Sequence, residues 1–389
     1  MKNNVGSPVR EDDFFPRPNE VEQIWRAISS GSHILIAAPR RVGKTSIMFH
    51  LFEQPQDDYI VVYVTTESAD SENEFWQKVF NALIDEEFLE KTKQYKTKAF
   101  MFLREFAGKV KRVSMEGIEF QDGKEQDFYS AFISFVKGLE IEKKLVIMID
   151  EFPQTVENII ECEDEKSARQ FLKSNRELRQ DPKVSQKVVF VYTGSIGLEG
   201  VAAKLKATKY INDLNNIKVK PLKPDDAMEL IAALAKGLEI TVAENEAHYL
   251  LEKIEWLIPF YIQLILQEIK NICTDESTSN VTEAMIYQAI KASLEHRNHF
   301  EHWHQRLKVA LETDEYKCAK EILNVASEEG VISSARIADI AAGHEREDDG
   351  KEIVHVLVYD GYINNDENPK EYRFNSPILR MWWEKNVAN

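Results

Sequence analysis

The chain has 389 residues, 43% hydrophobic and 30% charged, which predicts two or three ordinary globular domains. Its formal net charge of −17 argues against a surface that binds polyanions as a whole. No apolar run reaches the ~18 residues of a membrane span, the N-terminus lacks a signal-peptide core, and Cys162, Cys273 and Cys318 match no metal or disulfide spacing, so a cytoplasmic protein without membrane contact is expected.

The first predicted strand is "HILIAA" (33–38), and the turn "APRRVGKT" (38–45) follows it into a helical pattern. This is the spacing of a phosphate-binding turn, with Ala38 in place of the first glycine. Gly43 lets the backbone bend so that successive N–H groups face phosphate oxygens, and the helix opening there adds its positive end. Lys44 is predicted to reach the β- and γ-phosphates and Thr45 to face Mg²⁺. The cofactor-binding candidates are therefore Pro39, Arg40, Arg41, Val42, Gly43, Lys44, Thr45 and Ser46.

The second predicted strand is "YIVVYVT" (59–65). Residues 91–112 follow, with eight basic residues and one acid, Glu105, interleaved with Phe100, Phe102, Leu103 and Phe106. They read as an amphipathic helix pair packing its aromatics on the core, with a nucleic-acid or partner surface as the alternative. The strand "LVIMID" (145–150) ends in Asp150, placed to hold Mg²⁺ directly or through water. Glu151 is placed to take a proton from an attacking water, as a P-loop hydrolase needs. The strand "KVVFVYT" (187–193) leads to Ser195, a candidate to bond the γ-phosphate or the attacking water at the carboxyl end of a parallel sheet. "IKVKP" (217–221) closes the strand series. Near-continuous apolar strands alternating with helical patterns predict a buried parallel sheet.

After Pro221 the pattern is helical, beginning at "KPDDAMELIAALAKGL". His296, His299, His302 and His304 lack a metal signature and read as solvated helix histidines. Residues 314–389 read as three helices and a short hairpin, a winged helix-turn-helix. They contain nine Lys or Arg and sixteen Asp or Glu. The expected recognition helix opens among Glu345, Glu347, Asp348 and Asp349, which disfavours DNA.

Taken together, these boxes resemble the prokaryotic "archaeal ATPase" group of AAA+/STAND-type P-loop NTPases over nearly the whole chain. "FFPRPNEVEQIW" is similar to the group's N-terminal box, which implies that Arg17 helps cup the adenine. "APRRVGKTS" resembles the Walker A, "LVIMIDEFP" the Walker B and "VVFVYTGSIGL" the sensor strand. "WLIPFYIQLILQEI" resembles the lid helix whose proline leans on the nucleotide, which would be Pro259. The implied fold is an α/β P-loop NTPase, with an AAA+-like parallel sheet and flanking helices over 1–221. An all-α lid (222–313) and a winged-helix domain (314–389) would follow. The implied catalytic residues are Glu151, Lys44 and Ser195, with Thr45 and Asp150 on the metal.

The group often carries an arginine before the final sheet strand, and "YINDLNN" has none. Arg176 and Arg179 are the nearest substitutes. No guanine-reading Asn-Lys-x-Asp sequence is present, so ATP and ADP with Mg²⁺ are the expected ligands. The expected role is a slow nucleotide-driven switch acting on a protein partner, with oligomers compatible. The alternatives are a DNA-handling ATPase similar to origin-recognition initiators and a nucleotide-binding scaffold with negligible turnover.

Overall fold

The computed structural model describes residues 1–95, 97–114, 117–120, 127–140, 142–194, 197–347 and 349–388; at 86, 106, 108–114, 117–120 and 309 the backbone alone is described. The chain divides into two compact units. A sheet unit comprises Pro16–Ala37 and Lys44–Val219, and a helical unit comprises Met1–Phe15, Ala38–Gly43 and Lys220–Asn389. No helix among the described residues is long and apolar enough to cross a membrane.

The strands in chain order are β1 (Ile34–Ala37), β2 (Tyr59–Thr65), β3 (Val110–Ser114), β4 (Gly117–Phe120), β5 (Lys144–Asp150), β6 (Val188–Thr193), β7 (Asn215–Lys218), β8 (Ile332–Ser333), β9 (Ile363–Asn364) and β10 (Glu371–Phe374). The sheet unit is built on five parallel strands in the order β2-β5-β6-β1-β7. All five predicted segments overlap an observed strand, although the last, expected at 217–221, runs Asn215–Lys218. Their Val and Ile side chains face helices on both sides, so β1 and β6 are buried throughout. The register sets Thr65 beside Asp150 and Ile36 beside Thr193.

One layer over this sheet is aromatic. Phe75, Trp76, Phe80, Phe132 and Phe135 are fully buried, and Phe75 meets Trp76, Phe152 and Phe171 edge-on at 4.9–5.7 Å between ring centres. The basic segment joins this core as the sequence suggests: Phe100 and Leu103 are buried in helix Lys98–Lys109. Its end differs from the expected helix pair. Residues 110–112 belong to β3, which pairs antiparallel with β4. The β-branched Val110 and Val113 favour an extended backbone there.

The helical unit opens with helices Pro224–Gly237, Glu244–Ile254, Pro259–Asp275, Glu283–Ser293 and Arg297–Ala310. Pro224 and Pro259 each take a first helical position, where the missing N–H costs nothing. Asp225 and Asp226 then face the positive helix end.

The C-terminal elements run Thr313–Glu329, β8, Ser334–Gly343, Gly350–Tyr359, β9, β10, Pro377–Trp383, with the sheet ordered β8-β10-β9. That is the helix and hairpin order anticipated for residues 314–389. Ile353, Val354 and Leu357 face inward from Gly350–Tyr359. Ahead of that helix, Arg346 is paired with Asp349 at 3.1 Å, while Asp348 lies outside the described residues. Trp382 and Trp383 are fully buried, which settles their place in the core. The Trp383 indole N–H donates to Asn324 Oδ1 at 2.9 Å.

His33 ties β1 to its surroundings. The Phe190 N–H donates to His33 Nδ1 at 3.1 Å, so Nε2 carries the proton and donates to the Arg179 carbonyl at 3.1 Å. Burial, with the nearby Arg179 charge, pushes the His33 pKa down to about 4. The neutral ring therefore stabilises the fold above its unfolded pKa near 6.5, and that contribution falls as pH drops from there through about 4. Denaturant titrations of the wild type at pH 7 and pH 5 should differ by about 2 kcal/mol more than those of His33→Asn. Equal pH slopes in the two proteins would show that His33 is not responsible.

Candidate functional site

In the sheet unit, chemistry collects where β5 ends. Asp150 is 4% exposed, and its Oδ2 accepts hydrogen bonds from the Thr45 hydroxyl and the Tyr63 hydroxyl, each at 2.9 Å. The Glu151 N–H donates to Oδ1 at 3.1 Å. Burial raises the Asp150 pKa first and the Glu151 carboxylate adds to it; the two hydroxyls and the Lys44 ammonium oppose the rise. Lys44 and Ser46 are themselves buried in the first turn of helix Lys44–Glu53. Gly43, just ahead, has φ +105°, a conformation that side chains resist, and a Cβ placed there would meet no atom within 4 Å. Open space above a glycine at a helix start is what a phosphate group requires.

Glu151 adopts a left-handed backbone (φ 58°, ψ 34°) as it caps helix Phe152–Cys162. Such strain, on the order of 1–3 kcal/mol, concentrates at functional positions. At Gly194, a Cβ would fall 2.4 Å from Pro153 Cδ and 3.6 Å from Glu151 Oε2. Only glycine lets the chain after β6 run this close to Pro153, which follows Glu151 by two positions. Ser195, the sensor candidate, lies outside the described residues.

The strand end is braced by groups that the sequence reading missed. Thr66 donates to the Asp150 carbonyl at 3.2 Å, and Thr155 donates to the Thr66 carbonyl at 2.8 Å. Tyr63 sits in an apolar run where it reads as one more strand residue, so only the register reveals its hydroxyl's target. Arg17 is buried at the start of helix Pro18–Ser29 and pairs with Glu20 at 2.7 Å.

Residues Ala38–Gly43 belong to the helical unit. Val42 is buried. Pro39 packs so tightly that a Cβ on Gly361 would come 2.8 Å from its Cβ. Arg41, at φ +65°, sets its guanidinium 4.0 Å over the Phe260 ring, next to Pro259, and its Nη2 donates to His302 Nδ1 at 3.3 Å. Burial lowers the Arg41 pKa to about 10. Arg40 is partly buried in the same turn.

Two expectations fail here. The histidines are not solvated as a group: burial, then the Arg41 charge, holds His302 neutral, and His304 bonds the Tyr316 hydroxyl at 2.8 Å. Among the described residues no three metal-ligating side chains gather. Arg179 is also unsuited to contact a phosphate. It is 3% exposed and grips Asp213 through two hydrogen bonds of 2.8 and 2.9 Å. Asp213 lies in "YINDLNN", the segment that lacks its own arginine.

The Thr45 hydroxyl and the Asp150 carboxylate are hard oxygen donors that meet beside a lysine and a helix N-terminus. That donor set fits Mg²⁺, which takes one or two protein oxygens and completes its shell with water and phosphate.

No family profile matches the sequence, and no curated protein matches it. Solved structures do. The chain is similar to a Walker-type ATPase of Pyrococcus abyssi, with a TM-score of 0.66 at 14% identity over 98% of this chain and 99% of that one. It is also similar to the ORC2 protein of Aeropyrum pernix, a structure of ADPNP and ADP complexes, with a TM-score of 0.54 at 11% identity over 99% and 100% of the two chains. At these identities the likeness concerns the fold: an α/β P-loop NTPase fold with a helical C-terminal region.

Because Arg179 neutralises a partly buried carboxylate, Arg179→Ala should cost roughly 3 kcal/mol of folding stability. Replacing the pair together, as Arg179→Met with Asp213→Leu, should recover most of that loss. Thermal unfolding of the three proteins checks this; an Arg179→Ala protein as stable as wild type would remove the structural role.

Proposed function

We propose that this chain binds ATP with Mg²⁺ at the Gly43–Ser46 turn and hydrolyses it slowly, as a switch acting on a protein partner. The observation that carries this is the 2.9 Å hydrogen bond between Thr45 and Asp150. It joins the helix after β1 to the end of β5, although β6 lies between those strands. Two sequence boxes read separately as metal-facing thus meet at one point. The likeness to ATPase structures agrees with this reading.

In it, the bound Mg²⁺ would neutralise phosphate charge. Thr45 and Asp150 hold it. Backbone N–H groups of the 39–46 turn and the Lys44 ammonium orient the β- and γ-phosphates. Glu151 takes the proton from the attacking water, and Ser195 bonds the γ-phosphate or that water. Arg17 and Pro259 are the proposed adenine-side and lid contacts, and 1–221, 222–313 and 314–389 the proposed domains. The engagement of Arg179 with Asp213 supports slow turnover, since an arginine at the transferred phosphate supplies much of the acceleration in such enzymes. The acidic balance of 314–389 favours a protein partner over DNA.

Lys44→Ala should abolish tight ATP binding, because it removes a charge-assisted contact worth roughly 1.5–3 kcal/mol. Unchanged affinity by calorimetry would overturn the assignment. Glu151→Gln should keep binding and lose turnover by ~10²–10⁴-fold. Phosphate release that persists in this variant would exclude Glu151 as the base. Absent release in the wild type would favour the scaffold.

A further inference from the structure

We infer that Tyr63 is a positioning residue that fixes the metal-binding carboxylate of Asp150; the inference rests on the magnesium–nucleotide reading above. Tyr63 lies on β2, two residues before Thr65, which pairs with Asp150. Its ring packs against Phe49 and Phe52, at 4.8 and 6.4 Å between ring centres. Both phenylalanines come from helix Lys44–Glu53, whose first turn carries Thr45. The ring is thus held by the element that presents Thr45, while its hydroxyl donates to the same Asp150 oxygen that Thr45 reaches.

The consequence is geometric. Asp150 Oδ1 is held by the Glu151 N–H and Oδ2 by the two hydroxyls. A carboxylate held at both oxygens cannot swing about its terminal bond. When a cation engages the Thr45 oxygen, Tyr63 still donates to Oδ2, because the phenol is not itself needed as a ligand. Removing the phenol leaves the carboxylate tethered by Glu151 N–H and by a hydroxyl that the metal also claims. Partners of this outer kind typically carry 10–100-fold in metal affinity.

Tyr63→Phe keeps the ring and deletes the hydroxyl. In calorimetric titrations of ATP at a series of Mg²⁺ concentrations, the half-saturating Mg²⁺ concentration of Tyr63→Phe should rise by about tenfold or more. Its ATP affinity without Mg²⁺ should match the wild type, and it should still fold cooperatively with a modestly lower melting temperature, since one donor to a buried carboxylate is lost. Phe49→Leu, which loosens one ring contact and leaves the phenol, should shift the Mg²⁺ midpoint clearly less than Tyr63→Phe does. A Tyr63→Phe midpoint within twofold of wild type overturns the positioning role while leaving the nucleotide site intact. An equal shift in Phe49→Leu assigns the effect to packing and also overturns it. A wild type whose ATP binding ignores Mg²⁺ overturns the metal reading and this inference with it.

Discussion

The buried carboxylate at the end of β5 is the constraint around which the sheet unit is arranged. A carboxylate with 4% exposure is costly unless hydrogen bonds and positive charge compensate it. Here the compensation comes from the helix that follows β1, two strands away in the sheet. Thr45 reaches Asp150 only if β6 has inserted between β1 and β5 in the observed register. The polar contact therefore depends on the whole parallel ladder, and Thr66 and Thr155 repeat the same logic on the β2 side.

The turn 38–43 answers to different forces. It has one glycine, and Arg41 adopts a left-handed backbone that costs roughly 1–2 kcal/mol. What holds it is the wedge of Pro39 beside Gly361, the burial of Val42 and the guanidinium lying on Phe260. These partners stand more than two hundred positions away in the chain. The conformation of this turn is thus set by side chains distant in sequence, with Ala38 where the phosphate-binding pattern has glycine.

What could be read in the sequence follows from which forces are local. The central sheet strands were legible because a strand buried on both faces must be apolar along its length, as 145–149 and 188–192 are. Helix starts at Pro224 and Pro259 were legible because proline tolerates few other places. Thr45 and Asp150 were each legible as metal-facing from their own motifs, but their direct hydrogen bond was not. The order of the strands was not, since an apolar run carries no address. The β3–β4 hairpin was hidden by Lys111 and Arg112, which read as the end of a basic amphipathic helix pair. Arg179 read as a substitute for the missing arginine and His302 as a solvated helix histidine because their partners, Asp213 and Arg41, are announced by no local pattern. Tyr63 was invisible for the same reason.

His33 shows how a single side chain can record a tertiary arrangement. Its two ring nitrogens are assigned opposite duties by groups from different elements, the Phe190 N–H on β6 and the Arg179 carbonyl at the end of a helix. An accepting and a donating imidazole nitrogen differ strongly in nitrogen chemical shift. The ring is therefore a spectroscopic label built into the chain: its frozen tautomer reports whether β1 and β6 keep their register, and any state that slides one strand past the other would scramble that signal.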